Sequence, residues 1–109
     1  MLRFKKTPDE VKEMIKLAIK KGYRQIKISS VNPNEFLLRF DGRMWIMGFE
    51  FLSDKEIKYS CFENYSFKCI LETDAKKVRE FLEEIYSKSK IVNGRVKEIP
   101  TDVFQVVVA

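Results

Sequence analysis

Between residues 35 and 52 the chain reads EFLLRFDGRMWIMGFEFL, two apolar runs separated by Asp41-Gly42. A two-residue Asp-Gly loop suits a type I′ turn, whose central residues both need positive φ and whose twist matches the flanking strands. The stretch predicts a long β-hairpin that the rest of the chain must accommodate. Such a loop would pair Phe40 with Arg43, Leu38 with Trp45 and Phe36 with Met47. One face then carries Phe36, Leu38, Phe40, Trp45, Met47, Phe49 and Phe51, an apolar bed for helices. The other carries Leu37, Arg39, Met44, Ile46, Gly48, Glu50 and Leu52, which is too apolar for a freely solvated surface yet holds an Arg and a Glu. Leu37, Arg39, Met44, Ile46 and Glu50 are therefore the candidate interface or ligand face. Another part of the chain, a second copy, or a ligand or nucleic-acid strand would each account for it.

Around this hairpin the chain offers two helices. Thr7 fits an N-cap, Pro8 the first helical position, and Glu10 closes a capping box three residues after Thr7. Val11, Met14, Ile15, Ala18 and Ile19 follow at helical spacing, and Gly22 suits the residue that stops the helix, which predicts a helix over 8–21. Thr73-Asp74 opens the second, with Ala75, Val78, Phe81, Leu82, Ile85 and Tyr86 on one side. Residues 2–6 form a short strand or an extended lead-in. Residues 23–29, 57–63 and 67–72 read as strands, Asn93-Gly94 as a loop or minor hairpin, and 103–109 as a final strand apolar on both faces. That last strand is either a central core strand or an edge that pairs with another chain.

The order (β)-α-β-β-β-β-β-α-β implies an α+β two-layer sandwich, a mainly antiparallel meander sheet of five to six strands with two amphipathic helices on one face. By element order alone this resembles the sheet-and-helix architecture of the TATA-binding-protein-like class, with no shared motif to assign a family.

At 109 residues the chain is the length of a single domain, and 45% hydrophobic with 34% charged residues is a globular composition. No run has membrane-spanning length and the N-terminus lacks the apolar stretch of a signal peptide, so a soluble, cytoplasmic protein is expected. There is no His, which removes the commonest general base and the commonest metal ligand. No catalytic residue, metal or cofactor is assigned. The richness in Lys, Glu and Ile is a thermophile-like composition.

Charge is uneven. The first 30 residues hold nine Lys or Arg against three acids, and Lys5, Lys6, Lys12, Lys16, Lys20, Lys21, Arg24 and Lys27 are the candidates for contacting DNA or RNA phosphates. Cys61 and Cys69 flank residues 64–66 and would face each other across a three-residue loop, where a disulfide is conceivable but two free buried thiols are favoured. Asp54, Glu56, Glu63 and Asp74, with Tyr59 and Tyr65, fall together at one predicted end of the meander, where carboxylates could hold a divalent ion for phosphoryl transfer. The sequence favours a non-enzymatic binding module, a homodimer, with nucleic acid as leading partner. A structural or regulatory homo-oligomer without a nucleic-acid role is the alternative, and a metal-dependent phosphoryl-transfer enzyme stands third.

Overall fold

The computed structural model describes residues 1–100 and Asp102; the strand expected over 103–109 lies outside them. The elements run β1 (Leu2–Lys5), α1 (Pro8–Lys21), β2 (Tyr23–Ile28), β3 (Glu35–Phe40), β4 (Ile46–Ser53), β5 (Glu56–Phe62), β6 (Ser66–Glu72), α2 (Ala75–Lys88), β7 (Lys90–Val92) and β8 (Val96–Glu98). The described strands form one sheet in the order β1-β6-β5-β4-β3-β2-β8-β7. All neighbours are antiparallel except β1, which runs parallel to β6. The α+β class is as expected, but the sheet has eight strands in place of five or six. The additional pair is the β7–β8 hairpin, turned through Asn93 and Gly94 at φ 59° and 71°. Its strands of three residues are too short for alternation to reveal them, and only the Asn-Gly pair marks them. Among the described residues no helix is long and apolar enough to cross a membrane.

Helix α1 is built as its sequence dictates. Thr7 Oγ1 accepts from the Glu10 amide at 3.2 Å, and Glu10 returns a carboxylate to the Thr7 amide at 3.0 Å. These bonds satisfy two otherwise orphaned donors. The helix stops at Gly22, whose amide donates to Ala18 O and whose carbonyl accepts from the Asp41 amide. The end of α1 is thereby tied to the loop of the central hairpin.

That hairpin differs from expectation in register. Phe36 pairs with Phe49, Leu38 with Met47 and Arg39 with Ile46, so the loop spans 41–45 and each partner is displaced by two residues from the expected pairing. The physical reason is the turn: Gly42 takes φ +72° but Asp41 keeps a negative φ, so the type I′ conformation is not formed. The Phe40 amide closes the loop onto Trp45 O, and the two rings meet at 4.9 Å. Because the slip is by two, every side chain keeps its face.

The expected helix bed is the core. Phe36, Leu38, Met47, Phe49, Ile57, Tyr59, Cys69 and Leu71 from one face of the sheet join Val11, Ile15, Ala18 and Ile19 of α1 and Ala75, Val78, Leu82 and Ile85 of α2 in one buried cluster. Arg79 anchors α2 over the hairpin, its guanidinium 5.4 Å from the Phe51 ring and hydrogen-bonded to Asn34 and Glu83. Cys61 pairs with Phe67 and Cys69 with Tyr59, so the cysteines are diagonal neighbours rather than directly opposite. Both are free thiols. The loop is 63–65, one residue earlier than expected, which moves the register by two.

Candidate binding face of the sheet

The face turned away from the helices can be read row by row from the strand registers. One row crosses β2 to β6 as Lys27, Leu37, Gly48, Ser60 and Lys68, and the next as Gln25, Arg39, Ile46, Phe62 and Ser66. A third runs Glu35, Glu50, Lys58 and Ile70 to Arg3 on β1, and a fourth runs Glu56 and Glu72 to Lys5. The first two rows contain no acid between β2 and β6, whereas the third and fourth hold four carboxylates. The residues of the first half of the face are therefore cationic, apolar or neutral, with the Glu35 carboxylate reaching over Gly48 at its border, and the other half is of mixed charge. Glu98 stands one strand beyond, beside Gln25, where Lys90 opposes it.

In the half formed by the first two rows Phe62 is 53% exposed, which is unusual for a Phe in a sheet strand. Leu37 and Ile46 beside it are partly buried. Gly48 forms the floor: a Cβ there would lie 2.7 Å from Ser60 Oγ, 3.3 Å from Leu37 Cδ2 and 3.5 Å from Glu35 Oε2, so those side chains already lean across it and the Glu35 carboxylate reaches in from the third row. The loops at 41–45 and 63–65 lie at this end of the sheet and add exposed Asp41, Arg43, Met44 and Tyr65 and the half-buried Glu63. Of the expected ligand-face residues, Leu37, Arg39 and Ile46 fall in this half, Met44 lies in the loop above it, and Glu50 lies in the mixed half opposite Glu35.

The basic residues of the first third do not form one patch. Lys12 and Lys16 reach over the Phe81 ring at 5.8 and 6.0 Å, and Lys16 also pairs with Glu13. Lys6 pairs with Glu10 and Lys21 with Glu63, while Arg24 Nε donates to Ile19 O. Lys20 is exposed in the last turn of α1, Lys5 sits on the sheet edge and Lys27 on the open face. Phe62 and Lys68, which share the open face with Arg39 and Lys27, escaped the sequence reading because only the hairpin was assigned faces; extending the two-residue alternation through residues 57–72 recovers both.

The six residues expected at one end of the meander are separated. Asp54, Glu56 and Asp74 line a cleft of about 880 Å³ with Lys5, Ser53, Lys55, Glu72 and Thr73. Glu63 and Tyr65 lie at the other end of β5, and Tyr59 is buried on the helix side. A strand of seven residues holds the two groups roughly 20 Å apart at about 3.3 Å per residue. Among the described residues no three or more Cys, Asp or Glu are arranged to hold a metal ion.

Glu63 instead ties α1 to the sheet. The buried Tyr23 hydroxyl donates to Glu63 Oε1 at 2.6 Å and Lys21 Nζ donates to the same oxygen at 3.2 Å. The Tyr23 bond, reinforced by Lys21, holds the carboxyl below the usual range, whereas burial and the Glu63 bond push the Tyr23 phenol up. Burial likewise raises the Tyr59 phenol and the Cys69 thiol. A carboxyl depressed in the fold contributes stability above its unfolded pKa of about 4.3, and that stability disappears as pH falls through the lower folded value. Tyr23→Phe is expected to cost on the order of 1 kcal/mol at pH 7 and to flatten the acid side of the stability profile, both readable from urea midpoints at pH 7 and pH 4. An unchanged acid limb would refute the coupling.

The sequence matches no protein-family model, and no solved structure is significantly similar to it.

Proposed function

We propose that the chain is a non-enzymatic binding module whose open sheet face takes single-stranded nucleic acid across the half formed by the Lys27–Lys68 and Gln25–Ser66 rows. The observation that carries this is the exposed Phe62 ring, in a pair of strand rows that also hold Arg39, Lys27 and Lys68 and place no acid of their own between β2 and β6, with the Glu35 carboxylate reaching over Gly48 from the adjoining row. A base stacks on an aromatic side chain whatever its identity, and flanking cations meet the phosphates. Leu37 and Ile46 supply apolar contact to sugar and base edges. This places the contact on the sheet rather than on the Lys-rich helix of the first third. The net charge of +5 assists encounter.

Fluorescence polarisation with labelled oligonucleotides tests it. Phe62→Ala is expected to weaken binding about tenfold or more, since base stacking is worth about 1–3 kcal/mol. Arg39→Ala should lower the salt slope by about 0.7. Lys20→Ala, on the exposed end of α1, should change neither. Loss confined to the α1 variant would return the site to the first third, and no salt-sensitive binding to DNA or RNA would remove nucleic acid altogether.

The structural homo-oligomer is a second reading. It is favoured by β1, an edge strand in which every residue is exposed, Leu2 by 59% and Phe4 by 40%. Large exposed apolar side chains on a strand that, among the described residues, is paired on one side only invite a further strand.

A further inference from the structure

Glu35 leans from the third row into the proposed binding half, and among the described residues its carboxylate has no hydrogen-bond or ion-pair partner. Glu50, directly opposite it on β4, is by contrast held by Asn32 Nδ2 at 2.6 Å and has Lys58 in register on its other side. Gly48 makes the lean possible. With no side chain there, Glu35 Oε2 and Ser60 Oγ both come within 3.5 Å of the point where a Cβ would stand. The Ser60 hydroxyl likewise has no partner among the described residues. Two half-buried polar groups, one of them charged, thus converge on one spot of the open face. Covering a carboxylate without supplying donors to it is costly, so whatever lies on this spot must bring hydrogen-bond donors.

Resting on the nucleic-acid reading, we propose that Glu35 reads guanine: its two carboxylate oxygens accept the N1–H and the exocyclic N2–H of a guanine stacked on Phe62, and the Ser60 hydroxyl donates to O6. Phe62 stands two residues from Ser60 on the same face of β5, about 7 Å along the strand. A base lying on the Phe62 ring with its Watson–Crick edge toward the third row therefore sets that edge over Ser60 and the Glu35 carboxylate.

The choice of base follows from its donors. An ionised carboxylate only accepts. Guanine alone among the common bases presents two adjacent donors on its Watson–Crick edge. Adenine and cytosine place a ring-nitrogen acceptor beside their amino group, and uracil and thymine flank a single N–H with two carbonyls, so each sets an acceptor against a carboxylate oxygen. The phosphates have cations to meet elsewhere. Lys27 and Lys68 stand at the two ends of the row through Gly48, about 19 Å apart across four strand spacings, and Arg39 lies in the next row beside Ile46. The backbone is drawn to these positions and the base edge alone meets Glu35.

Fluorescence polarisation with short labelled thymidine oligonucleotides that differ at one central base tests this. The wild type is expected to bind the guanine oligonucleotide about tenfold more tightly than those with adenine, cytosine or thymine, in the lower part of the range for a bidentate base contact. Inosine, which keeps N1–H and O6 but lacks the N2 amino group, is expected to lose most of that advantage. Glu35→Gln replaces one acceptor with a donor and should bring guanine level with the other bases. Because it also removes a negative charge and strengthens binding to every oligonucleotide, the readout is the ratio between bases and not the affinity. If Glu35→Gln perturbs folding, the inosine comparison on the wild type decides. Absence of salt-sensitive binding to any oligonucleotide overturns both this assignment and the nucleic-acid reading. Binding without a guanine preference, or a preference that inosine or Glu35→Gln leaves intact, overturns the role of Glu35 alone and leaves the nucleic-acid reading standing.

Discussion

Gly22→Ala is expected to destabilise the protein by about 2–5 kcal/mol, out of proportion to the single methyl group added. Two penalties coincide at this position. Gly22 has φ +142°, a conformation that side chains rarely adopt, and forcing a Cβ into the positive-φ region costs about 1–2 kcal/mol. The added carbon would also lie 2.6 Å from two atoms of the Phe40 ring. That ring is held edge-on to Tyr23 at 5.2 Å and against Trp45 at 4.9 Å, so yielding means disturbing three aromatic residues. Overpacking of this kind costs about 1–3 kcal/mol. Gly42→Ala provides the control: its φ is +72° but nothing lies within 4 Å of the added carbon, so only the backbone penalty applies. Urea midpoints at unchanged slope should separate the two variants clearly. Equal losses would mean that Phe40 moves aside freely and that the junction of α1 with the hairpin loop is soft.

Phe49→Ala should cost about 3–5 kcal/mol, the range for removing a fully buried aromatic ring. Phe49 is completely buried in the middle of β4, paired with Phe36 on β3 and Tyr59 on β5, and its ring meets Tyr59 at 5.3 Å. The surrounding sheet is tied on both sides and cannot collapse into the space. Against a total stability of about 5–15 kcal/mol, typical of single domains, the loss is a large fraction. Phe51→Ala, two residues along the same strand but only partly buried, should cost less, and thermal unfolding of the two variants ranks them. A smaller loss at Phe49 than at Phe51 would place the centre of the core closer to the Arg79 stack than the burial pattern indicates.

What the sequence made legible was local. The Thr7–Glu10 box and the Gly22 stop depend on contacts within four residues, and α1 begins and ends where they place it. The two faces of the hairpin were legible because a period of two survives a register slip of two. The register itself was not, because it is decided by the Phe40–Trp45 contact and by the Gly22 carbonyl holding Asp41, which join residues from separate elements. The candidate site was legible only in part. Leu37, Arg39 and Ile46 were assigned to the open face from the hairpin alone. Grouping the basic residues by sequence failed because an α-helix, a bulged strand and a sheet edge send consecutive lysines to different sides of the molecule. The β2 irregularity between Tyr23 and Gln25 is one such point: it puts the Tyr23 side chain into the core while Gln25 joins the open face. Nothing in a run of charges records such a change of phase.

The parallel attachment of β1 to β6 carries a kinetic consequence. Leu2 is in register with Cys69, so this pairing closes a far longer stretch of chain than any hairpin in the sheet, and long-range contacts form late because loop closure must precede them. Among the described residues only one side of β1 is bonded, through its pairing with β6, so β1 is expected to detach in a local opening that leaves the remaining sheet intact. Amide hydrogen exchange should show this as fast exchange at Arg3 and Lys5, intermediate protection at Phe4 and Lys6, and the slowest rates at Ile26, Leu38 and Phe49. A cap of low local stability would expose the β6 edge on a timescale much shorter than that of global unfolding.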